Sequence, residues 1–405
     1  MRSSTPRLAG VALVTIAGLV LVGCSSKAPS ASSTGTSGAL TIQPLVQIDK
    51  AGKEVKSQAG GTAANPAGDG KATCASTTTI AMAGALTGAN AALGINIANG
   101  VKLAIKQHND ANKDCQVQFK GFDTEGDPAK APAVATQIIN DANVIGLIGP
   151  AFSSETKATG AAFHDAGLLS LTASATNPAL TTNGWNNFFR GLANDAVQGP
   201  SVAAYMVNTA GFKKVCVVKD DSDYGVGLAQ QITTGLGSAA DASCALSVKT
   251  GDKDFSSAVQ SIKSAAPDAI FYSGYYAEAA PFVAQLRTGG VTATFVSADG
   301  TNDPQFVKQA GSASKGALLS CPCGPAPADF EKAYEAAFNV SSGVYSVEAY
   351  DLATIVLKAI DGGAKDRASV VNFVKGYSGD GLARHYQWDS TGELSSALIW
   401  IYQVK

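Results

Sequence analysis

From residue 77 onwards the chain alternates short apolar runs with amphipathic stretches, and this alternation limits the folds that it can adopt. The first cycle is an apolar run at 78–84, followed by apolar residues at helical spacing over 95–109. Strands that alternate with helices of about 10–15 residues indicate parallel sheets with helices on both faces. Because the cycle restarts near residue 195, the sequence predicts an α/β protein with two lobes.

Composition excludes several classes of protein. Hydrophobic residues make up 45% of the chain, which is ample for a core and excludes a disordered protein. The net charge of −2 opposes a role in binding nucleic acid, which normally requires a basic excess. The sequence has three histidines and neither a G-x-S-x-G nor a G-x-G-x-x-G motif. We therefore expect no enzymatic activity, no cofactor, no bound metal and no nucleic-acid partner.

The first 24 residues predict an exported protein. Arg2 and Arg7 precede an uncharged stretch at 8–22, which is the pattern of a signal peptide covering residues 1–23. The sequence LVGC that ends at Cys24 resembles the lipobox of bacterial lipoproteins. The resemblance implies a lipid on the Cys24 thiol and an anchor at the outer face of the cytoplasmic membrane. A signal peptide with a coincidental cysteine is the alternative.

Small and polar residues dominate much of the segment that follows Cys24. Residues 25–39 and 59–73 are rich in Ser, Thr, Gly and Ala, a composition that does not bury a core. We therefore expect residues 24–76 to form a lipidated N-terminus and a flexible tether. A faint strand pattern at 41–55 has no assigned role.

Six further cysteines fit an exported chain, in which an even number favours disulfides. Six cysteines allow 15 connectivities, and the placement of the predicted strands favours two pairs. These pairs are Cys74–Cys115 and Cys216–Cys244, each with both members on neighbouring predicted strands. Cys321 and Cys323 either close on each other or stay reduced.

The candidate site lies in the loops that follow the predicted strands, since ligands of parallel sheets bind beyond the carboxyl ends of the strands. Ser153 stands where a helix begins, so its hydroxyl and the free backbone N–H groups there suit a carboxylate. Thr176, Tyr275 and Asp299 lie in other such loops. Taken singly, each is also explained by helix capping, turn formation or packing.

Taken together, these loops resemble a known family, the periplasmic leucine/isoleucine/valine-binding proteins of ABC transporters. The resemblance covers about residues 77–405 and rests on segments such as TGANAALG, DTEGDPAKA, SATNPAL and DSDYGVGLA. It implies a type I periplasmic binding protein, with two Rossmann-like lobes joined by three hinge crossings and a ligand in the cleft. Lobe 1 would contain residues 77–195 plus 323–398, and lobe 2 would contain residues 196–322 plus 399–405.

The resemblance also implies how the pocket would hold the two charges of an amino acid. Ser153 and Thr176 would bind the α-carboxylate through hydroxyl and main-chain N–H groups. Ser174 would offer its carbonyl oxygen to the α-ammonium, and Asp299 would supply the compensating negative charge. Asp299 stands where the best-known members have Glu, which is one methylene longer.

The remaining pocket positions concern the ligand side chain. Tyr224 and Tyr275 of lobe 2 would close over the ligand, and Phe152 would add an apolar wall. Leu93 stands where family members often carry an aromatic residue, so the preferred ligand is open. The implied function is that of a monomeric binding protein which delivers a small amino acid, with a branched chain expected, to an ABC permease. A receptor for an amide, urea or another small amino acid is the alternative, as is a ligand sensor.

Overall fold

Two sheets with helices on their faces organise residues 39–56 and 65–405, the part of the chain that the computed structural model describes. The strands are β1 (Ile42–Ile48), β2 (Glu54–Val55), β3 (Thr79–Gly84), β4 (Gln118–Asp123), β5 (Val144–Ile148), β6 (Leu169–Thr172), β7 (Phe188–Arg190), β8 (Val215–Lys219), β9 (Leu246–Ser247), β10 (Ala269–Ser273), β11 (Thr294–Ser297), β12 (Leu318–Cys321), β13 (Ser378–Asp380), β14 (His385–Gln387) and β15 (Ile399–Val404). The helices are α1 (Ala91–Ala111), α2 (Ala131–Asn140), α3 (Ser153–Asp165), α4 (Asp195–Ala204), α5 (Asp223–Leu236), α6 (Ser256–Ala265), α7 (Tyr276–Thr288), α8 (Pro304–Ala310), α9 (Ala328–Phe338), α10 (Ser346–Asp361) and α11 (Arg367–Lys375). The predicted signal peptide and Cys24 lie outside the described residues.

Each sheet forms the centre of one lobe. In lobe 1 the strands are parallel and follow the order β4-β3-β5-β6-β7. In lobe 2 the strand order is β2-β1-β15-β12-β11-β10-β8-β9. The last five strands in this order are parallel to one another. Strand β15 is antiparallel to both of its neighbours, β1 and β12. Strands β3 and β5 are buried along their whole length, as expected for strands covered by helices on both faces.

The C-terminal helices belong to lobe 1, although they follow the last parallel strand of lobe 2. Helix α10 packs against α1 and β5, and α11 packs against β5 and β6. The sequence of α10 is apolar on most sides, and nearly all of this helix is buried. The chain crosses between the lobes after β7, after β12 and before β15, and the cleft therefore lies beside these crossings.

The prediction of a flexible tether over residues 24–76 is wrong for the segment that forms β1. Residues Ile42–Ile48 pair with Val404–Ile399 of β15 in an antiparallel ladder that has one bulge. Ile48 at the end of β1 is only 3% exposed. The faint strand pattern was therefore genuine, and its partner is the last strand of the chain.

Disulfides join Cys74 to Cys115 and Cys216 to Cys244, which confirms both predicted pairs. Cys321 and Cys323 are bonded to each other, which decides between the two alternatives left for them. The first bond fixes the start of the segment that leads into β3, and the third lies where β12 leaves lobe 2.

Candidate ligand-binding cleft

The predicted site residues lie where strands end and helices begin. Ser153 is the first residue of α3, which follows β5, and Thr176 lies in the loop after β6. In lobe 2, Tyr224 lies in the first turn of α5 and Tyr275 is the N-cap of α7. Asp299 follows β11. All five residues are buried, and they lie beyond the carboxyl ends of the strands, where ligands of such sheets bind.

Three of the predicted aromatic residues meet across the cleft. The ring centroids of Phe152 in lobe 1 and Tyr275 in lobe 2 are 4.6 Å apart. Tyr224 continues this cluster, with its ring 5.2 Å from that of Tyr275. These separations are typical of direct aromatic contact, so the structure has the two lobes closed on each other.

Asp299 is surrounded by hydrogen-bond donors of the protein. Gln198 Nε2 donates to Oδ1 over 2.8 Å, and Tyr345 Oη donates to Oδ2 over 2.7 Å. Tyr224 Oη donates to Oδ1 over 3.2 Å. Burial raises the pKa of Asp299 even though these donors favour its charged form. Its oxygens are therefore less available to a ligand than the sequence led us to expect.

Asp195 is a second buried carboxyl group, and it was not among the residues predicted for the site. It is the first residue of α4 and is 0% exposed. Within the described part of the chain, neither of its carboxylate oxygens accepts a hydrogen bond of normal geometry. Its backbone N–H donates to the carbonyl oxygen of Thr176 over 3.0 Å, which holds it beside the predicted carboxylate loop. A buried acceptor of this kind favours a donor from a ligand.

The surroundings of Asp195 favour its neutral form. Burial raises the pKa of Asp195 to about 8, and the negative charge of Asp299 adds to this rise. Arg190 opposes the rise, and the nearby Thr176 hydroxyl does so as well. Gln198 Oε1 and Thr176 Oγ1 are also buried, and within the described residues neither atom makes a hydrogen bond of normal geometry. Unsatisfied polar atoms of both lobes therefore converge at this point.

The loop that carries Thr176 is held from behind by a buried arginine. Arg190 is 0% exposed and donates to the carbonyl oxygens of Ala175 and Asn177. Its Nη2 also donates to Glu393 Oε1 over 3.0 Å. Both neighbours of Thr176 are thereby fixed, which orients the Thr176 hydroxyl.

The first turn of α3 offers donors to an anion. Ser153 Oγ accepts the N–H of Asn177 over 3.2 Å, which leaves its own hydroxyl hydrogen to donate. The Phe152 N–H donates to Glu155 Oε2 over 2.9 Å, so this helix start is fixed by its own side chain. Burial raises the pKa of Glu155 to about 7. Ser174 Oγ donates to the Ala151 carbonyl over 2.5 Å, which ties the two loops of lobe 1 together.

Leu93 is fully buried in the first turn of α1, beside the rim of the cleft. The N–H of the preceding Ala92 donates to Tyr276 Oη of lobe 2 over 3.3 Å. Leu93 therefore lies near the contact between α1 and lobe 2, and its role beside a ligand side chain stays a prediction.

Cavities also lie away from the residues predicted for the site. One of about 480 Å³ lies on the outer side of lobe 2, between α5 and β9, with Lys219 as its charged lining residue. In residues 39–56 and 65–405, no group of three His, Cys, Asp or Glu side chains could hold a metal ion. None of the helices in these residues is long and apolar enough to cross a membrane.

A closed cleft between two α/β lobes, lined by buried and unpaired polar groups, defines a bilobal ligand-binding protein. The sequence matches the periplasmic binding protein family over residues 77–405, and the chain belongs to this family. Members of this family are exported to the periplasm and serve transporters as binding proteins.

Curated relatives and solved structures agree with this assignment. A leucine-, isoleucine-, valine-, threonine- and alanine-binding protein of Pseudomonas aeruginosa is 29% identical over 340 residues, 81% of this chain and 90% of the relative. A leucine-specific-binding protein of Salmonella typhimurium is also 29% identical, over 80% of this chain and 90% of the relative. Among solved structures, the branched-chain amino acid transporter substrate-binding protein LivJ of Streptococcus pneumoniae, in complex with isoleucine, has a TM-score of 0.74 and 27% identity. That comparison covers 81% of this chain and 99% of LivJ.

Proposed function

We propose that this protein captures a small amino acid outside the cytoplasm and delivers it to an ABC permease. The observation that carries the proposal is the buried Asp195 carboxyl group, which accepts no hydrogen bond of normal geometry from the described residues and lies beside the Thr176 hydroxyl. A carboxylate of this kind is costly to bury unless a cation is supplied. The names of the relatives, which bind leucine and other amino acids, support this choice of ligand.

An amino acid carries two opposite charges, and each needs a partner once water is removed. The α-carboxylate would accept hydrogen bonds from Ser153, Thr176 and the first N–H groups of α3, whose helix end favours an anion. The α-ammonium would lie between Asp195 and Asp299 and donate to the Ser174 carbonyl oxygen. The Asp195 oxygens accept no hydrogen bond of normal geometry from the described residues, whereas Asp299 is shared with donors of the protein.

Closure of the lobes would follow from this division of contacts. Lobe 1 would bind the carboxylate first, and Tyr224 and Tyr275 of lobe 2 would then cover the ligand. An apolar side chain would lie against Leu93 and Phe152. Because the ligand contacts both lobes only when they are closed, it stabilises the closed state that the permease recognises.

No group in this cleft is arranged as a nucleophile with its base, so we propose a binding protein and not an enzyme. We also propose that Cys24 carries a lipid and anchors a monomer to the outer face of the cytoplasmic membrane. Replacing Cys24 with Ala tests the anchor, because the variant should leave the carbonate-washed membrane fraction. Retention of the variant in that fraction would contradict it.

Calorimetry with the common amino acids, simple amides and urea tests the ligand class. Asp195→Asn removes the charge that would match the ammonium, so we expect amino-acid affinity to fall about 10- to 100-fold. Asp110→Asn is the matched control, since Asp110 pairs with Lys106 on the exposed face of α1. Binding of urea or amides alone, or unchanged affinity in Asp195→Asn, would contradict the proposal.

A further inference from the structure

Asp223, at the start of α5 in lobe 2, is held by three residues of lobe 1. Lys157 Nζ lies 2.7 Å from Asp223 Oδ1. The backbone N–H of Asp223 donates to Ser154 Oγ over 3.0 Å, and its carbonyl oxygen accepts from Asn177 Nδ2 over 2.7 Å. The backbone N–H, the backbone carbonyl and one carboxylate oxygen of this one residue are therefore bound across the cleft.

A glycine in α5 lies close against the Asn177 side chain of lobe 1 at this junction. A Cβ added at Gly227 would lie 2.7 Å from Asn177 Nδ2, which is too close for two atoms that are not bonded. Glycine is unfavourable inside a helix, so its presence at this position fits a close contact between α5 and the Asn177 loop. The hydrogen bond to Asp223 and the close approach at Gly227 both involve Asn177 Nδ2, so they locate the same junction.

From these contacts we infer that Asp223 is a positioning residue. Its bonds to Lys157, Ser154 and Asn177, which we call the latch, stabilise the closed state. Asp223 directly precedes Tyr224, so holding Asp223 on lobe 1 also holds Tyr224 over the cleft. The inference rests on the proposed function, because it concerns closure around a bound ligand. Since the latch is formed by protein groups alone, it raises the closed fraction for every ligand equally and leaves selectivity unchanged.

The Lys157–Asp223 pair is the part of the latch that can be removed with least disturbance. The Lys157 side chain is 65% exposed and that of Asp223 is 33% exposed. An ion pair in this setting changes an equilibrium by about 1.5- to 5-fold. Lys157→Met removes the charge, and Lys157→Arg retains it. Lys120→Met is the matched control, because Lys120 pairs with Asp141 over 2.8 Å within lobe 1.

The Asp223 amide reports on the latch in protein without ligand, because opening breaks its bond to Ser154. We expect hydrogen exchange of this amide to be about 1.5- to 5-fold faster in Lys157→Met than in Lys120→Met. Lys157→Arg should restore the wild-type rate. The difference should disappear at about 1 M salt, where the screening length is about 3 Å.

Stopped-flow dissociation of L-leucine and of L-alanine from the same full-length variants is the second measurement. Lys157→Met should raise both off-rates by the same factor of about 1.5 to 5, whereas a pocket residue would change their ratio. Exchange and off-rates equal to those of Lys120→Met would overturn the latch. If exchange changes as expected but no amino acid binds any variant, the latch stands and the proposed ligand class is wrong.

Discussion

The Tyr345 hydroxyl of lobe 1 donates a 2.7 Å hydrogen bond to Oδ2 of Asp299 in lobe 2. Tyr345 is the N-cap of α10 and has a φ of 70°, a conformation that bulky residues rarely adopt. Strain of this kind persists where the surroundings hold it, and it is concentrated at functional sites. The bond therefore couples the start of α10 to the cleft carboxylate of the other lobe.

Replacing Tyr345 with Phe removes this bond and leaves Asp299 with Gln198 and Tyr224 as donors. We expect ligand affinity to fall about tenfold, because a bond to a charged group in the closed state is lost. Isothermal titration calorimetry measures the change. Tyr377→Phe is the control, since the Tyr377 hydroxyl accepts from Lys358 at a different place in lobe 1. Equal affinities in the two variants would contradict the role of Tyr345.

Ligand binding should release a proton near neutral pH. Without ligand, burial raises the pKa of Asp195 to about 8, and Asp299, Arg190 and Glu393 are the charged groups that face it. A bound ammonium favours the ionised carboxylate, so below pH 8 binding must first remove the proton. Affinity should therefore rise up to tenfold per pH unit between pH 6 and 7.5. Calorimetry in buffers of different ionisation enthalpy measures the release, which Asp195→Asn should abolish.

The same carboxyl should lower the stability of the ligand-free protein as pH rises. Its folded pKa of about 8 lies above the unfolded value of about 3.9, so the native state binds more protons between these values. Stability contributed by the neutral carboxyl is thus lost progressively from pH 4 to pH 8. We expect the Tm of Asp195→Asn, measured relative to that of the wild type, to increase by about 2 °C or more when the pH rises from 5 to 8. Asp110→Asn should show no such trend.

Strand and helix periodicity predicted the parallel sheets, and the placement of cysteines predicted two disulfides, because both depend on neighbouring segments. Asp195 was not predicted, since Asn194 caps α4 through its side chain and an acidic residue in a first turn has a local explanation. Tyr345 was not predicted either, because its contact with Asp299 joins distant parts of the chain. The role of β1 depends on pairing with the last strand, which local sequence does not reveal.

A matched pair of substitutions in β1 tests whether this strand belongs to the folded protein. Ile48 is 3% exposed and Leu45 is 40% exposed, although both are apolar residues of the same strand. Ile48→Asp buries an unpaired charge against β15 and should lower the free energy of unfolding by about 2–4 kcal/mol. Leu45→Asp should change it by no more than about 0.5 kcal/mol. Equal melting curves would indicate a flexible tether.

Removal of Glu393 should weaken both the fold and the binding loop, because it leaves the buried Arg190 without its charge partner. Partial burial raises the pKa of Glu393, but Arg190 outweighs this effect and the net shift is downward. The stabilisation is therefore present above about pH 4.5 and is lost as pH falls through the lower folded pKa. Glu393→Ala should lower the free energy of unfolding at pH 7 by about 1–3 kcal/mol and reduce ligand affinity, since Arg190 holds the carbonyls around Thr176. Glu393→Gln, which keeps an acceptor oxygen, should lose less of both. Glu125→Ala is the control, because it breaks an exposed ion pair with Lys130. Denaturant unfolding measures the stability of each variant, and calorimetry measures its ligand affinity. Equal values for Glu393→Ala and Glu125→Ala would contradict the coupling.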